Sequence, residues 1–144
     1  MSHVEKCSVQ ITDLTALKAA CKRMGVEFVE NTHTYKWWGR SVGDYPIPAG
    51  FTAQDLGKCD HVIRVPNVGY EVGVVKNKTG KGYSLLYDFY GQGQGLLQKF
   101  GKGLTRLADA YSVEALKAKA LAQGYLTTET TAENGEITLN VTGY

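Results

Sequence analysis

Tyr70-Glu71-Val72-Gly73-Val74-Val75-Lys76-Asn77-Lys78-Thr79-Gly80-Lys81-Gly82-Tyr83-Ser84-Leu85-Leu86-Tyr87-Asp88-Phe89 reads as two strands around a turn. Residues 70–75 and 83–89 are rich in β-branched and aromatic side chains, and the Asn-, Lys- and Gly-rich stretch between them cannot continue either run. Just upstream, His61-Val62-Ile63-Arg64-Val65 is a third strand, stopped by Pro66-Asn67. Three such runs in succession predict an antiparallel meander.

Towards the N-terminus, residues 4–11 alternate Cys7, Val9 and Ile11 with polar positions, the period of a half-buried strand. Thr12 or Asp13 can cap a helix whose apolar stripe is Leu14, Leu17, Ala20 or Cys21, and Met24. Gly25 stands where such a helix ends in the left-handed conformation. Val26-Glu27-Phe28-Val29-Glu30 is the next strand, and a further short strand is expected through Tyr35-Lys36-Trp37-Trp38. From about residue 39 to 60 no period is visible. The stretch holds Gly39, Gly43, Pro46, Pro48, Gly50 and Gly57, and a loop of that length in a compact domain tends to be functional or mobile.

Towards the C-terminus, Gly91-Gln92-Gly93-Gln94-Gly95 precedes a short helix over residues 96–100 and a long one over 104–123, stopped by Gly124. Leu104, Leu107, Ala108, Tyr111, Ala115, Ala118 and Ala122 form one stripe of the long helix, and Val113, Leu116 and Ala120 a second. A helix apolar on two sides is deeply buried or touches another subunit, so a homo-oligomer, a dimer using that second face, is expected. Residues 125–131 and 136–141 form a hairpin across Asn134-Gly135, a dipeptide that predicts a two-residue turn with positive φ at both positions. The reading is a single α+β domain over residues 1–144, with a long loop at about 39–60. Its sheet is mostly antiparallel with about five to seven strands, two main helices pack on it, and a β-hairpin ends the chain.

The balance of the 144 residues fits that reading: 43% hydrophobic and 21% charged are globular values. Sixteen basic against fourteen acidic residues give a formal charge of +2, too little to argue for nucleic acid as a partner. No apolar run approaches the roughly 20 residues of a membrane span, so no membrane is expected. The N-terminal residues carry no apolar core of a leader, and three cysteines (Cys7, Cys21, Cys59) at wide spacing make no disulfide framework. The expectation is a cytoplasmic protein, in a bacterial host cytosol, with buried inert thiols.

The chain resembles a family of small uncharacterised proteins, a domain of unknown function known from bacteriophages, cyanobacteria and plastid genomes. The stretches that carry the resemblance are Met1-Ser2-His3, Tyr70-Glu71-Val72-Gly73-Val74-Val75 and Tyr83-Ser84-Leu85-Leu86-Tyr87-Asp88-Phe89. To these are added the helix over residues 106–123 and the hairpin Glu133-Asn134-Gly135-Glu136-Ile137-Thr138-Leu139. It spans most of the chain except the loop between Gly39 and Cys59. The resemblance implies a phage or prokaryotic setting and brings no catalytic residues.

Chemistry-bearing residues are sparse. A dinucleotide fingerprint from Gly91, or a P-loop ending at Gly101-Lys102, would each need glycine at Leu96, and the P-loop also needs Ser or Thr at Gly103. Cys59-Asp60-His61, with His3, Cys7 and His33, has ligand types without the paired spacing of a zinc site, so no metal and no cofactor is expected. Ser41 and Ser84 lack a nucleophile-elbow context. What remains is binding chemistry. Lys76, Lys78 and Lys81 share one turn, and Lys102 follows the glycine loop, where backbone N–H groups of Gly93 and Gly95 could face an anion. Trp38, Arg40 and Tyr45 could stack on a ring. If the lysine turn and the glycine loop share one end of the sheet, these residues make one basic rim. The plainer reading is solvated lysines and a chain-reversing turn. The favoured expectation is therefore a non-catalytic protein that binds, and could sequester, a small anionic, nucleotide-like molecule. The alternatives are an accessory subunit docking on a larger protein such as an ATPase, and a hydrolase without a recognisable motif.

Overall fold

The computed structural model describes residues 3–40, 43 and 45–143. Met1, Ser2 and Ser41, named above, lie outside them. The chain is α+β. Five antiparallel strands form the sheet in the order β1 (Val4–Lys6), β5 (Tyr83–Asp88), β4 (Val72–Lys76), β3 (His61–Arg64) and β2 (Glu27–Glu30). β3, β4 and β5 are the meander, and a separate antiparallel pair, β6 (Leu126–Thr131) and β7 (Ile137–Thr142), follows the helices.

Helices α1 (Leu14–Met24), α2 (Gln94–Phe100) and α3 (Thr105–Ala122) cover one face of the sheet. There Leu17, Leu96, Phe100 and Leu107 pack with Ile63, Val72, Val74, Leu85 and Tyr87. Asp13 caps α1 by accepting the Ala16 N–H at 3.0 Å, and Gly25 ends it at φ 72°. On the opposite face Val4, Val62 and Leu86 pack beneath Tyr35, Leu56 and Cys59, with Trp37, Ile47 and Phe51 at the margin. The inner strand β5, between β1 and β4, is thus buried on both sides, which is why its sequence runs apolar without alternating.

The described residues of the long loop form this second layer. The segment through Tyr35 to Trp38 is no sheet strand, contrary to the sequence expectation. Its main chain crosses the face of the sheet and bonds to two buried acids. Lys36 N–H donates to Glu71 Oε1 at 3.0 Å and Trp38 N–H to Asp88 Oδ2 at 3.2 Å. The Tyr35 ring lies so close to β4 that a Cβ on Gly73 would stand 2.3 Å from it. A bridge between Thr34 and Lys58, with Tyr35 N–H donating to Gly57 O and Cys59 N–H to His33 O, ties the layer to itself.

At the far end, β6 and β7 lean on α3. Arg23 of α1 reaches Glu114 and Glu129, each at 2.7 Å, and Lys117 reaches Glu129 at 2.8 Å. The second stripe of α3 is in part accounted for within the chain: Val113 lines a hollow with Ile137, and Leu116 and Ala120 line another with Leu139 and Val141. The hairpin turn differs from expectation. Ala132 N–H donates to Glu136 O and Gly135 N–H to Ala132 O, so the loop has three residues. Only Gly135, at φ 87°, is left-handed; Asn134 instead accepts the Glu136 N–H through Oδ1 at 3.0 Å.

Candidate functional site

The lysine turn and the glycine loop are not neighbours. Lys76, Lys78 and Lys81 sit at the end of the sheet where β4 turns into β5, while Gly93 and Gly95 follow β5 at its other end. The six residues of β5 separate them, about 17 Å at the usual rise per residue. Lys102 lies between α2 and α3, in the helical layer. The single basic rim therefore does not assemble.

Trp38, Arg40 and Tyr45 stand at the glycine end. The Arg40 guanidinium lies 4.8 Å from the Trp38 ring centre, and Tyr45 stacks on His3 at 5.0 Å and meets Phe89 at 5.3 Å. These rings surround Asp88, which is wholly buried and accepts N–H groups from His3 (3.1 Å) and Tyr90 (3.0 Å) as well as Trp38. Gly93 is buried with its N–H donating to Tyr90 O, and a Cβ there would lie 1.7 Å from the Asp88 carbonyl oxygen; one on Gly95 would meet Val68 at 2.9 Å. Close packing accounts for both glycines, and α2, with seven residues, is too short to lend them a useful dipole. This end of the sheet has the architecture of a clamp on the loop.

The lysine end has an open groove of about 400 Å³. One wall is the chain leaving β1, with Lys6, Ser8 and Gln10; the second is Ala49, Gly50 and Phe51 of the long loop; the third is Asn77, Lys78 and Thr79 of the β4–β5 turn, with Ser84 of β5. A hollow of about 240 Å³ shares Phe51 and Lys78 with it and adds Lys58, Asp60 and Lys76. The local structure follows from the strand period. Cys7 and Ile11 point into the helical core, so Lys6, Ser8 and Gln10 must face the other way. Gln10 donates to Lys81 O at 3.1 Å, which ties the turn to the chain that follows β1, and Asn77 donates to Lys81 O at 2.9 Å within the turn.

The two carboxylates beside the groove are engaged. Asp55 pairs with Lys78 at 2.7 Å and accepts the Thr52 N–H, and the Lys78 ammonium is the first cause holding its carboxyl at about 2. Asp60 accepts the Lys76 N–H at 2.7 Å. Lys6 donates to Ala49 O at 3.2 Å. Lys6, Lys58, Lys76, Lys78 and Lys81 against Asp55 and Asp60 leave the surroundings positive. Hydroxyls, amides, ammonium groups and the Phe51 ring suit an anion that carries an apolar ring.

The groove holds no acid–base pair. Its cysteine, Cys7, is buried with its thiol pushed up by loss of solvent, the environment of an inert thiol. Cys59, also pushed up by burial to about 12, donates to Thr32 O, and His61 Nδ1 accepts the Asn31 N–H. The Cys59-Asp60-His61 run is thus spent on three separate structural bonds. Among the described residues no group of three or more His, Cys, Asp and Glu side chains is placed to hold a metal, and no helix is long and apolar enough to cross a membrane.

Sequence reading found the lysine turn and missed Lys6, Ser8, Gln10 and Phe51. The signal for the first three was the polar half of the 4–11 alternation. No protein-family model matches the chain, and no curated protein and no solved structure matches it.

Proposed function

We propose that the chain is a non-catalytic binding protein for a small anionic, nucleotide-like molecule held in the groove between β1, Phe51 and the β4–β5 turn. The observation that carries this reading is the convergence of Lys6 and Lys78, five uncharged polar side chains (Ser8, Gln10, Asn77, Thr79, Ser84) and one aromatic ring on a space of about 400 Å³. That is within the usual range for a small-molecule site, and a ring on Phe51 with phosphate among the lysines uses both halves of its chemistry. Nothing in the groove can act as nucleophile and base together, which favours holding over turnover. In a phage setting, which the resemblance implies, such a protein would sequester a host metabolite or signal.

Calorimetry of the protein with a panel of mononucleotides and cyclic dinucleotides tests this. The expected result is at least one ligand bound more tightly than millimolar, weakened by salt because exposed lysines are screened, and lost in Lys6→Ala and Lys78→Ala with the fold unchanged by circular dichroism. No ligand tighter than millimolar would overturn the proposal.

A second reading, a subunit that docks on another chain, draws on a different place. Leu116, Leu121, Tyr125, Leu126 and Val141 are all exposed on α3 and the hairpin. The dimer expected from the two-sided helix belongs to the same surface and is part of this proposal.

A further inference from the structure

We propose that β7 is completed by β7 of a second copy, antiparallel and centred on Leu139. The inference rests on the dimer reading and is independent of the anion groove. Two strands alone are marginal in water, and β6–β7 has both edges open. The two edges are not equivalent. β6 carries Glu129 at its middle, tied to Arg23 and Lys117. β7 reads Ile-Thr-Leu-Asn-Val-Thr, with no charge, proline or bulge to protect its edge.

The hydrogen-bond phase of β7 is fixed by the turn. Ala132 N–H donates to Glu136 O, so in the register Thr130↔Thr138, Thr128↔Asn140 and Leu126↔Thr142 the even residues of β7 bond to β6. The N–H and C=O groups of Ile137, Leu139 and Val141 therefore point out to the open edge. A two-fold axis at Leu139 sets Leu139 against Leu139, and Ile137 and Val141 against Val141 and Ile137 of the second copy. Every outward group then finds its partner, and the three apolar residues on the α3 side continue onto the same three across the axis. Shifting the centre to Asn140 would set Ile137 against Gly143 and break the apolar match.

A further feature suits this occupant. The groove of about 320 Å³ beside the edge is lined by Leu116, Leu139 and Val141, and Leu116 and Val141 remain 55% and 53% exposed; a second strand would cover both.

Sedimentation of the full chain over a micromolar range gives the first test: a mass twice 15.7 kDa is expected, and a mass fixed at the monomer overturns the proposal. Register is read by single cysteines, since the native thiols are buried. On a symmetric axis only the central residue meets itself, so Leu139→Cys should give a disulfide-linked dimer under mild oxidation and Asn140→Cys should not. A dimer that links at Asn140→Cys, or at neither position, overturns the pairing.

Discussion

The backbone N–H of Trp38 meets Oδ2 of Asp88 at 3.2 Å, across fifty residues of sequence. Asp88 itself is wholly buried at the end of β5. Its two oxygens take three main-chain donors, and with Glu71 it anchors the long loop as a layer on the sheet. A buried carboxylate is tolerable only when hydrogen-bonded in this way, and its loss strands the donors it served.

Asp88→Ala should therefore destabilise the chain by about 3 kcal/mol, since three N–H groups lose their acceptor. Thermal unfolding should fall by roughly 10 °C, at about 3 °C per kcal/mol for a domain of this size. An unchanged midpoint would show that the loop is held by other means.

Gly73→Ala adds a methyl where the Tyr35 ring leaves no room, 2.3 Å from Cδ1. Overpacking of this kind costs on the order of 1–3 kcal/mol. The double variant Gly73→Ala/Tyr35→Leu should recover part of that loss, measured by denaturant unfolding, because the smaller side chain vacates the space.

Much of the fold was legible because its elements obey short-range rules. The meander, the Asp13 and Gly25 ends of α1 and the length of α3 all follow from period and capping. The layer formed by the long loop was not, because its residues are ordered by single bonds from Lys36 and Trp38 to acids distant in sequence, which leave no period. The composite site failed for a simpler reason. Lys76 to Lys81 precede β5 and Gly93 and Gly95 follow it, so a strand must lie between them, and the order of elements alone already separates the two.

Gly135 keeps its left-handed φ of 87° although the turn has three residues. Gly135→Val should still cost about 1–2 kcal/mol, because a β-branched residue is strained there. A shift of thermal midpoint below 1 °C would contradict the assigned turn.

Glu129 gives the hairpin a pH dependence. Arg23 first, and then Lys117, hold its carboxyl down from the ordinary 4.5 to about 2. The unfolded chain takes up this proton near 4.5 and the folded chain only near 2, so protonation favours unfolding. The stabilisation is present above pH 4.5 and is lost as pH falls towards 2. Solvent screening limits it to about 1 kcal/mol. Glu129→Gln should be less stable at neutral pH and should lose less than the unmodified chain on acidification, measured by denaturant unfolding at pH 6 and pH 2.5.

The place of binding is the central claim, and amide chemical shifts read it residue by residue. Titrating isotope-labelled protein with the tightest ligand of the panel should shift Lys6, Ser8, Gln10, Gly50, Phe51 and Asn77 to Thr79, while Gly91 to Gly95 and residues 125–142 stay in place. Shifts centred instead on the glycine loop and Trp38, with the β4–β5 turn silent, would contradict the account.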